Sequence, residues 1–486
     1  MYLGIDIGTS AVKAALIDDS GAVADQASAP LSVSRPQPLW SEQNPADWWS
    51  ATNTAVSGLQ SNLRKAVRAI GLSGQMHGAT LLDRSDRALR PAILWNDGRS
   101  AQQCIELEQS VEGMLQITGN RAMPGFTAPK LLWVRQHEPE IFAQTATVLL
   151  PKDYVRLRMT GERASDMSDS AGTLWLDVAQ RRWSEAMLEA TGLGLGHMPT
   201  LFEGNEVTGS LRAELAADWG MSRVPVVAGG GDNAAGAVGV GVVRPGDAFL
   251  SLGTSGVLFL ANDGYRPNPK SAVHTFCHAV PRHWHQMSVI LSAAASVELA
   301  ARLCGLGSTG ALFDLAEARN RPADAEIFLP YLSGERTPHN DPHAKGVLFG
   351  LTHESGPAAI GQAVLEGVAF AFRDGLDALL ASGTAIGSIS VIGGGARSVY
   401  WGRILSSVLQ RPLTYRDAGT VGPAYGAARL ARMGAECASI EEVCTQPPIL
   451  HVAEPDPRLS DLYSQRIGRY RSLYRHLKDL FVETST

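Results

Sequence analysis

The stretch Leu3-Gly4-Ile5-Asp6-Ile7-Gly8-Thr9-Ser10-Ala11-Val12-Lys13 decides the fold. Leu3, Ile5 and Ile7 alternate with Gly4, Asp6 and Gly8, the period of a strand with one buried face. Gly8-Thr9-Ser10 turns the chain, and Val12, Ala14 and Leu16 alternate again as a second strand. Such a turn offers backbone N–H groups, the Thr9 and Ser10 hydroxyls and the nearby Lys13 to an anion such as a phosphate. A carboxylate beside a phosphate repels it unless a cation lies between, so Asp6 reads as a Mg²⁺ anchor. The competing reading is an ordinary hairpin that happens to carry an Asp.

A second copy favours the first reading. Phe249-Leu250-Ser251-Leu252-Gly253-Thr254-Ser255-Gly256-Val257-Leu258-Phe259 repeats strand, Gly-Thr-Ser turn and strand, with Ser251 and Leu252 standing where the first copy has Asp6 and Ile7. Two such hairpins facing each other across a cleft would hold a nucleotide's phosphates from both sides. The pairing resembles the sugar kinase/Hsp70/actin superfamily, whose duplicated domains each open with this hairpin. That resemblance implies an α/β fold of two ribonuclease-H-like domains flanking a deep catalytic cleft. Val243-Arg244-Pro245-Gly246 is the best candidate boundary, giving domains 1–244 and 245–486.

Composition agrees with this scale. The chain has 486 residues, 45% of them hydrophobic, which supports two or three domains with sizeable cores. A net charge of −6 gives no electrostatic reason to expect nucleic acid or an anionic membrane surface. The five cysteines are scattered, odd in number and without CxxC spacing, which fits reduced thiols rather than a disulfide framework or a structural zinc. No basic-plus-apolar leader and no bilayer-length apolar run is read, so the expected location is the cytoplasm.

Outward from the first hairpin, Asn44-Pro45 starts a helix in which Trp48 and Trp49 read as packing residues. The buried-strand pattern Ala66 to Ser73 delivers Gly74-Gln75-Met76-His77-Gly78 at its C-terminal end, where open α/β sheets bind ligands. Gln75 and His77 suit hydroxyls, although a Gly-rich turn with a solvent histidine has the same pattern. Trp95-Asn96-Asp97 suits a polyol with an apolar face, or is a surface turn. Thr160 to Gly172, with Asp166 and Asp169, reads as a solvated loop capping a helix.

Gly229-Gly230-Gly231-Asp232-Asn233 follows a short buried strand and opens a helix. The glycines admit close approach, and a carboxylate at a helix N-terminus is expected to be comfortably ionised. Asp232 is therefore the most suspicious acid of the chain; an N-cap and nothing more is the alternative. His274, His278, His283 and His285 are too irregularly spaced for a metal site and fall on an expected strand pair. Phe328 to His339 reads as a polar loop, and Ile360 to Leu380 as a long helix with one buried face. Ile389 to Ile392 followed by Gly393-Gly394-Gly395 could admit an adenosine and its α-phosphate against bare backbone. Gly422, Ala424, Gly426, Ala427 and Ala428 predict a close helix–helix contact, and Leu459 to Phe481 a terminal amphipathic helix.

Over essentially its whole length the chain resembles the FGGY carbohydrate kinase family. Gly125, Thr127, Lys130, Leu131, Trp133, Val134, Gln136 and His137 match its first signature. Gly346, Leu348, Gly350, Leu351 and Ala363 to Glu366 match its second, with a departure at Ala359, where an acid or amide is usual. The resemblance implies that Asp232 is the catalytic base and, with Asp6, a metal-side acid. It implies sugar contacts by Gln75, Met76, His77, Trp95, Asn96, Asp97 and Asn233. It implies ATP contacts by Thr9, Ser10, Lys13, Gly253 and Thr254 at the phosphates, and by Gly394, Gly395, Ala396 and Ser398 on the adenosine side. The implied reaction is phosphorylation of D-xylulose to D-xylulose 5-phosphate by ATP with Mg²⁺, with no nucleic-acid or membrane partner and a homodimer left open. The rivals are another acceptor (ribulose, gluconate or glycerol) and a non-kinase ATPase of the same superfamily.

Overall fold

Both hairpins form, and each lies inside its own seven-stranded sheet. The computed structural model describes residues 1–417 and 422–483. In the first sheet, Tyr2–Ile7 pairs antiparallel with Ala11–Ile17, and that strand with Val23–Pro30. On its other side Tyr2–Ile7 runs parallel to Ala69–Gly74, with Asp6 opposite Ser73 and Ile7 opposite Gly74. Gly230 and Gly231 continue the row beside Ser73 and Gly74. The register thus brings Asp6, the Gln75-Met76-His77 segment and Asp232 to one end of one sheet.

The second sheet repeats the plan. Asp247–Leu252 pairs antiparallel with Gly256–Asn262 and parallel with Ser388–Ile392, Ser251 lying opposite Ile392. That register puts the glycine triplet after Ile392 beside the second Gly-Thr-Ser turn. His274–Cys277 and Trp284–Ile290 form the expected antiparallel pair. Leu250, Leu252, Leu258 and Leu260 are fully buried in one core with Val364, Val368, Phe372 and Leu376 of the helix Pro357–Leu380. Burying a side chain of this size contributes about 1.5–3 kcal/mol each. The helix Pro45–Ser57 is capped by Asn44 as its sequence predicts, and Trp48 is fully buried with its indole N–H donating to Gln43 Oε1.

The small residues after 422 make the contact their spacing predicts. The helix Pro423–Glu436 packs on the helix Asp232–Val240 and also lies against Tyr2–Ile7 and Ala69–Gly74. A Cβ on Gly426 would sit 1.8 Å from the Ala235 carbonyl oxygen, and one on Gly4 1.8 Å from that of Ala424. Backbone atoms cannot yield as a flexible side chain can. Gly426→Ala is therefore expected to destabilise by roughly 1–3 kcal/mol or more; an unchanged melting temperature would contradict this packing.

The segment Thr160 to Gly172 corrects the sequence reading. Asp166 does cap a helix, Met167–Ala171, accepting from Ser168 N at 2.7 Å and Asp169 N at 3.2 Å. It is not solvated: Asp166 and Asp169 are fully buried, as are Lys152, Asp153 and Arg156. Lys152 Nζ lies 2.6, 2.8 and 3.4 Å from carboxylate oxygens of Asp153, Asp166 and Asp169. Without these cations, which belong to the preceding helix Pro151–Thr160, burial of the acids would be prohibitive. Local sequence does not reveal such distant pairing.

Candidate active site

The buried ion cluster supports the glycine segment that ends in Asp232. Arg156 donates to the carbonyls of Val227, at 2.7 Å, and Ala228, and the Gly231 N–H donates to Ser168 Oγ at 3.1 Å. Asp232 follows as the first residue of the helix Asp232–Val240. Its Oδ1 accepts from the Asn233 backbone N–H at 2.7 Å and from Asn233 Nδ2 at 2.9 Å. Burial nonetheless outweighs these bonds and raises its pKa to about 6. The expectation of a comfortably ionised carboxylate is corrected: desolvation dominates the helix terminus here.

Asp6 is 7% exposed, and its Oδ1 is buried without a hydrogen-bond partner. Burial first, and the charge of Asp232 second, push its pKa up to about 7. A buried carboxylate raised by its neighbour and left with an unpaired oxygen suits a divalent cation. Among the described residues no group of three or more His, Cys, Asp or Glu is placed to hold a metal, so other oxygens, such as those of water and phosphate, would complete such an ion's shell.

Two cavities meet at Asp232 and Asn233, which line both. The smaller, about 240 Å³, is walled by Met76, His77, Trp95 and Phe126 from the first half and by His274 and Phe276 from the second. The larger, about 810 Å³, extends past Gly393, Arg397, Val399 and Arg416. A small polar ligand in the first and a nucleotide in the second would approach the same carboxylate from opposite sides.

His77 takes a left-handed φ of 69° and aims its ring into the smaller cavity. Its Nδ1 lies 2.6 Å from the Gly172 carbonyl oxygen, an acceptor only, so Nδ1 carries the proton and Nε2 keeps a free lone pair. Burial, with Lys130's charge, lowers the pKa to about 3, which keeps the ring neutral. Trp95 is 48% exposed at the cavity mouth and donates through Nε1 to Thr9 Oγ1 at 3.0 Å. Gln75 and Asp97 stand behind the wall rather than in it. Gln75 accepts from Thr9 Oγ1 at 3.0 Å and donates to Gln43 Oε1 at 2.8 Å, bracing the first hairpin. Asp97 accepts from Ser41 N at 2.6 Å and pairs with Arg99 at 2.7 Å. Asn96 is exposed outside both walls.

Lys13, in register with Asp6, and Ser10 are exposed beside the first turn and line neither cavity. In the second turn the Gly253 and Thr254 carbonyls accept from Ala294 N at 2.9 Å and Ala293 N at 2.8 Å, which leaves the exposed Thr254 side chain free to face a ligand. Gly393 has φ +92° and a Cβ there would meet the Leu252 backbone at 2.9 Å, while Gly394 opens on empty space. Gly395 is packed between Leu252 and Trp401. Ser398 Oγ accepts from Trp401 N at 3.2 Å, capping the helix Val399–Leu409. The Ala396 side chain falls outside the described residues.

Sequence reasoning missed Phe126, His274, Phe276 and Arg336 of the smaller cavity. His274 and Phe276 are two apart on a strand and so share a face, a signal that period-2 reading could have used. Arg336, in the loop read only as polar, had no local signal.

Comparison with known proteins adds relatives along the whole chain. Residues 1–239 match the FGGY family of carbohydrate kinases, N-terminal domain, and residues 248–435 its C-terminal domain. The chain is 56% identical over 483 residues to the xylulose kinase of Escherichia coli (strain K12), covering 99% of this chain and 100% of that one. A crystal structure of a xyloylose kinase from Brucella ovis superposes with a TM-score of 0.96 at 51% identity, covering 99% of each chain. The crystal structure of xylulose kinase from Rhodospirillum rubrum gives a TM-score of 0.92 at 29% identity, again over 99% of each chain.

Proposed function

The chain belongs to the FGGY family of carbohydrate kinases, and from that premise we propose that it transfers the γ-phosphoryl group of ATP to the terminal hydroxyl of D-xylulose, with Asp232 as the base. One observation carries the mechanism: Asp232 lines the small cavity and the large one at their junction. A sugar held among Met76, His77 and Asn233 presents its hydroxyl to that carboxylate, and ATP enters from the other side. The hydroxyl proton passes to Asp232 as the oxygen attacks phosphorus, and ADP leaves with the bridging oxygen. Phosphoryl transfer asks mainly for positioning and charge stabilisation, which walls from both halves supply.

The unpaired Asp6 Oδ1 beside Asp232 fits Mg²⁺, with Asp6 and Asp232 as its protein-side carboxylates. When bound, it supplies positive charge against the phosphates. Thr9, Ser10, Lys13, Gly253 and Thr254 would cradle the phosphates, and the backbone of Gly394 and Gly395 the adenosine side. Residues 1–244 and 245–486 act as the two jaws, and the enzyme works in the cytoplasm.

An ADP-release assay over ketoses and polyols tests this reading. D-xylulose should give the highest kcat/KM; no stimulation by any sugar would sink it. His77 gives a narrower test. Its neutral Nε2 accepts a sugar hydroxyl, so removing it leaves the hydroxyl unpaired and costs roughly 1–3 kcal/mol of sugar binding. His77→Asn tolerates the positive φ and should raise KM for D-xylulose about fivefold or more while KM for ATP barely moves. Equal KM values for the sugar would reduce His77 to a turn residue.

A further inference from the structure

Arg336 brings a guanidinium to the wall of the smaller cavity, and among the described residues no carboxylate lies within ion-pair distance of it. What orients it can be worked out atom by atom. Asn120 is fully buried, and its Nδ2 donates to the carbonyls of Thr118 at 2.8 Å and Thr275 at 2.9 Å. Its Oδ1 is therefore the acceptor, taking the Thr275 N–H at 3.2 Å and His274 Nδ1 at 3.0 Å. Nδ1 of His274 must carry the hydrogen. Burial keeps that ring neutral, so its Nε2 offers a lone pair, and Arg336 Nη1 donates to it at 3.2 Å.

The other guanidinium nitrogens, Nε and Nη2, have no protein acceptor among the described residues. The loop that carries them is held firmly. The Arg336 N–H donates to Glu335 Oε1 at 2.7 Å, and the same oxygen takes the Leu291 N–H at 3.1 Å. Thr337 exchanges hydrogen bonds with the Val289 backbone, both at 3.1 Å. The cavity thus has a rigid, donor-only group from the second half and an acceptor, His77 Nε2, from the first.

General sugar chemistry says what needs such a donor. A 2-ketopentose closes its ring through the C5 hydroxyl, so the form with that hydroxyl free is open-chain and carries a bare C2 carbonyl. A carbonyl oxygen accepts hydrogen bonds and cannot donate them. We infer that Arg336, oriented through Asn120 and His274, hydrogen-bonds the carbonyl oxygen at the non-reacting end of the sugar and makes the site favour ketoses over the matching polyols. This rests on the reading that the smaller cavity holds the sugar.

The test compares kcat/KM for D-xylulose and for D-arabinitol, its reduced counterpart, in wild type, Arg336→Met, Arg336→Lys and His274→Phe. Arg336→Met should raise KM for the ketose about tenfold or more, because a site built to hydrogen-bond a group discriminates strongly only while its partner is present. The ketose-to-polyol ratio should fall by a similar factor, and KM for ATP should stay within about twofold. Arg336→Lys should recover part of the ratio, and His274→Phe should lower it while leaving the guanidinium in place. An equal loss for both sugars, with the ratio intact, would show Arg336 to be structural and overturn the inference. If Arg336→Met does not melt cooperatively, Arg336→Lys and His274→Phe decide by the same ratio. A wild type that turns over no ketose would instead overturn the functional reading beneath it.

Discussion

Asp232→Asn is expected to lower kcat by about 10²–10⁴-fold, roughly 3–5.5 kcal/mol in the barrier, the usual worth of a positioned general base. The amide is nearly isosteric and keeps an acceptor oxygen, so binding of D-xylulose should weaken far less than turnover. The wild-type pH profile gives the same residue a second readout. Burial holds Asp232 up at about 6, and only its ionised form can take the proton. Activity should therefore fall as pH drops through the point where Asp232 takes up its proton, which is about 6 in the metal-free protein and lower with Mg²⁺ bound. A variant keeping more than about a tenth of wild-type kcat would move the base to another group.

Asp6→Asn should fail differently and should also stabilise the metal-free protein. The Asp6 pKa is raised from 3.8 to about 7, so the folded state holds its proton where the unfolded state has lost it. The stability this contributes is complete below about pH 4 and is lost as pH rises through about 7. By pH 8 the folded protein carries a buried carboxylate at a cost of up to about 4 kcal/mol. Asparagine removes that charge, so in chelator at pH 8 the variant should melt about 2 °C or more above wild type. At pH 5 the difference should shrink, because wild-type Asp6 is then already protonated. Activity should drop at limiting Mg²⁺ and recover in part as Mg²⁺ is raised. Lower stability at pH 8, or a defect indifferent to Mg²⁺, would remove Asp6 from the metal side.

The hairpins, the strand ends and Asp232 were legible because their signals are local: period-2 alternation, a turn of small residues, a glycine run before a helix. The crowded contact between helices 232–240 and 423–436 was legible as well, since small residues at helical spacing have few other uses. What long-range partners decide was not. Asp166 and Asp169 looked solvated because their partner Lys152 lies on another element. Gln75 and Asp97 looked like ligand contacts, yet Thr9 and Gln43 occupy the first and Arg99 and Ser41 the second. Arg336 enters the cavity from the other half of the chain, a placement that only the assembled sheets create.

The most direct test is the structure of the Asp232→Asn variant with D-xylulose, Mg²⁺ and a non-hydrolysable ATP analogue. The account predicts the open-chain sugar in the cavity of Met76 and His77, its terminal hydroxyl about 2.6–3.2 Å from the residue 232 side chain and in line with the γ-phosphate. A sugar bound in the same complex with that hydroxyl turned away from residue 232, or lying outside this cavity, would contradict it.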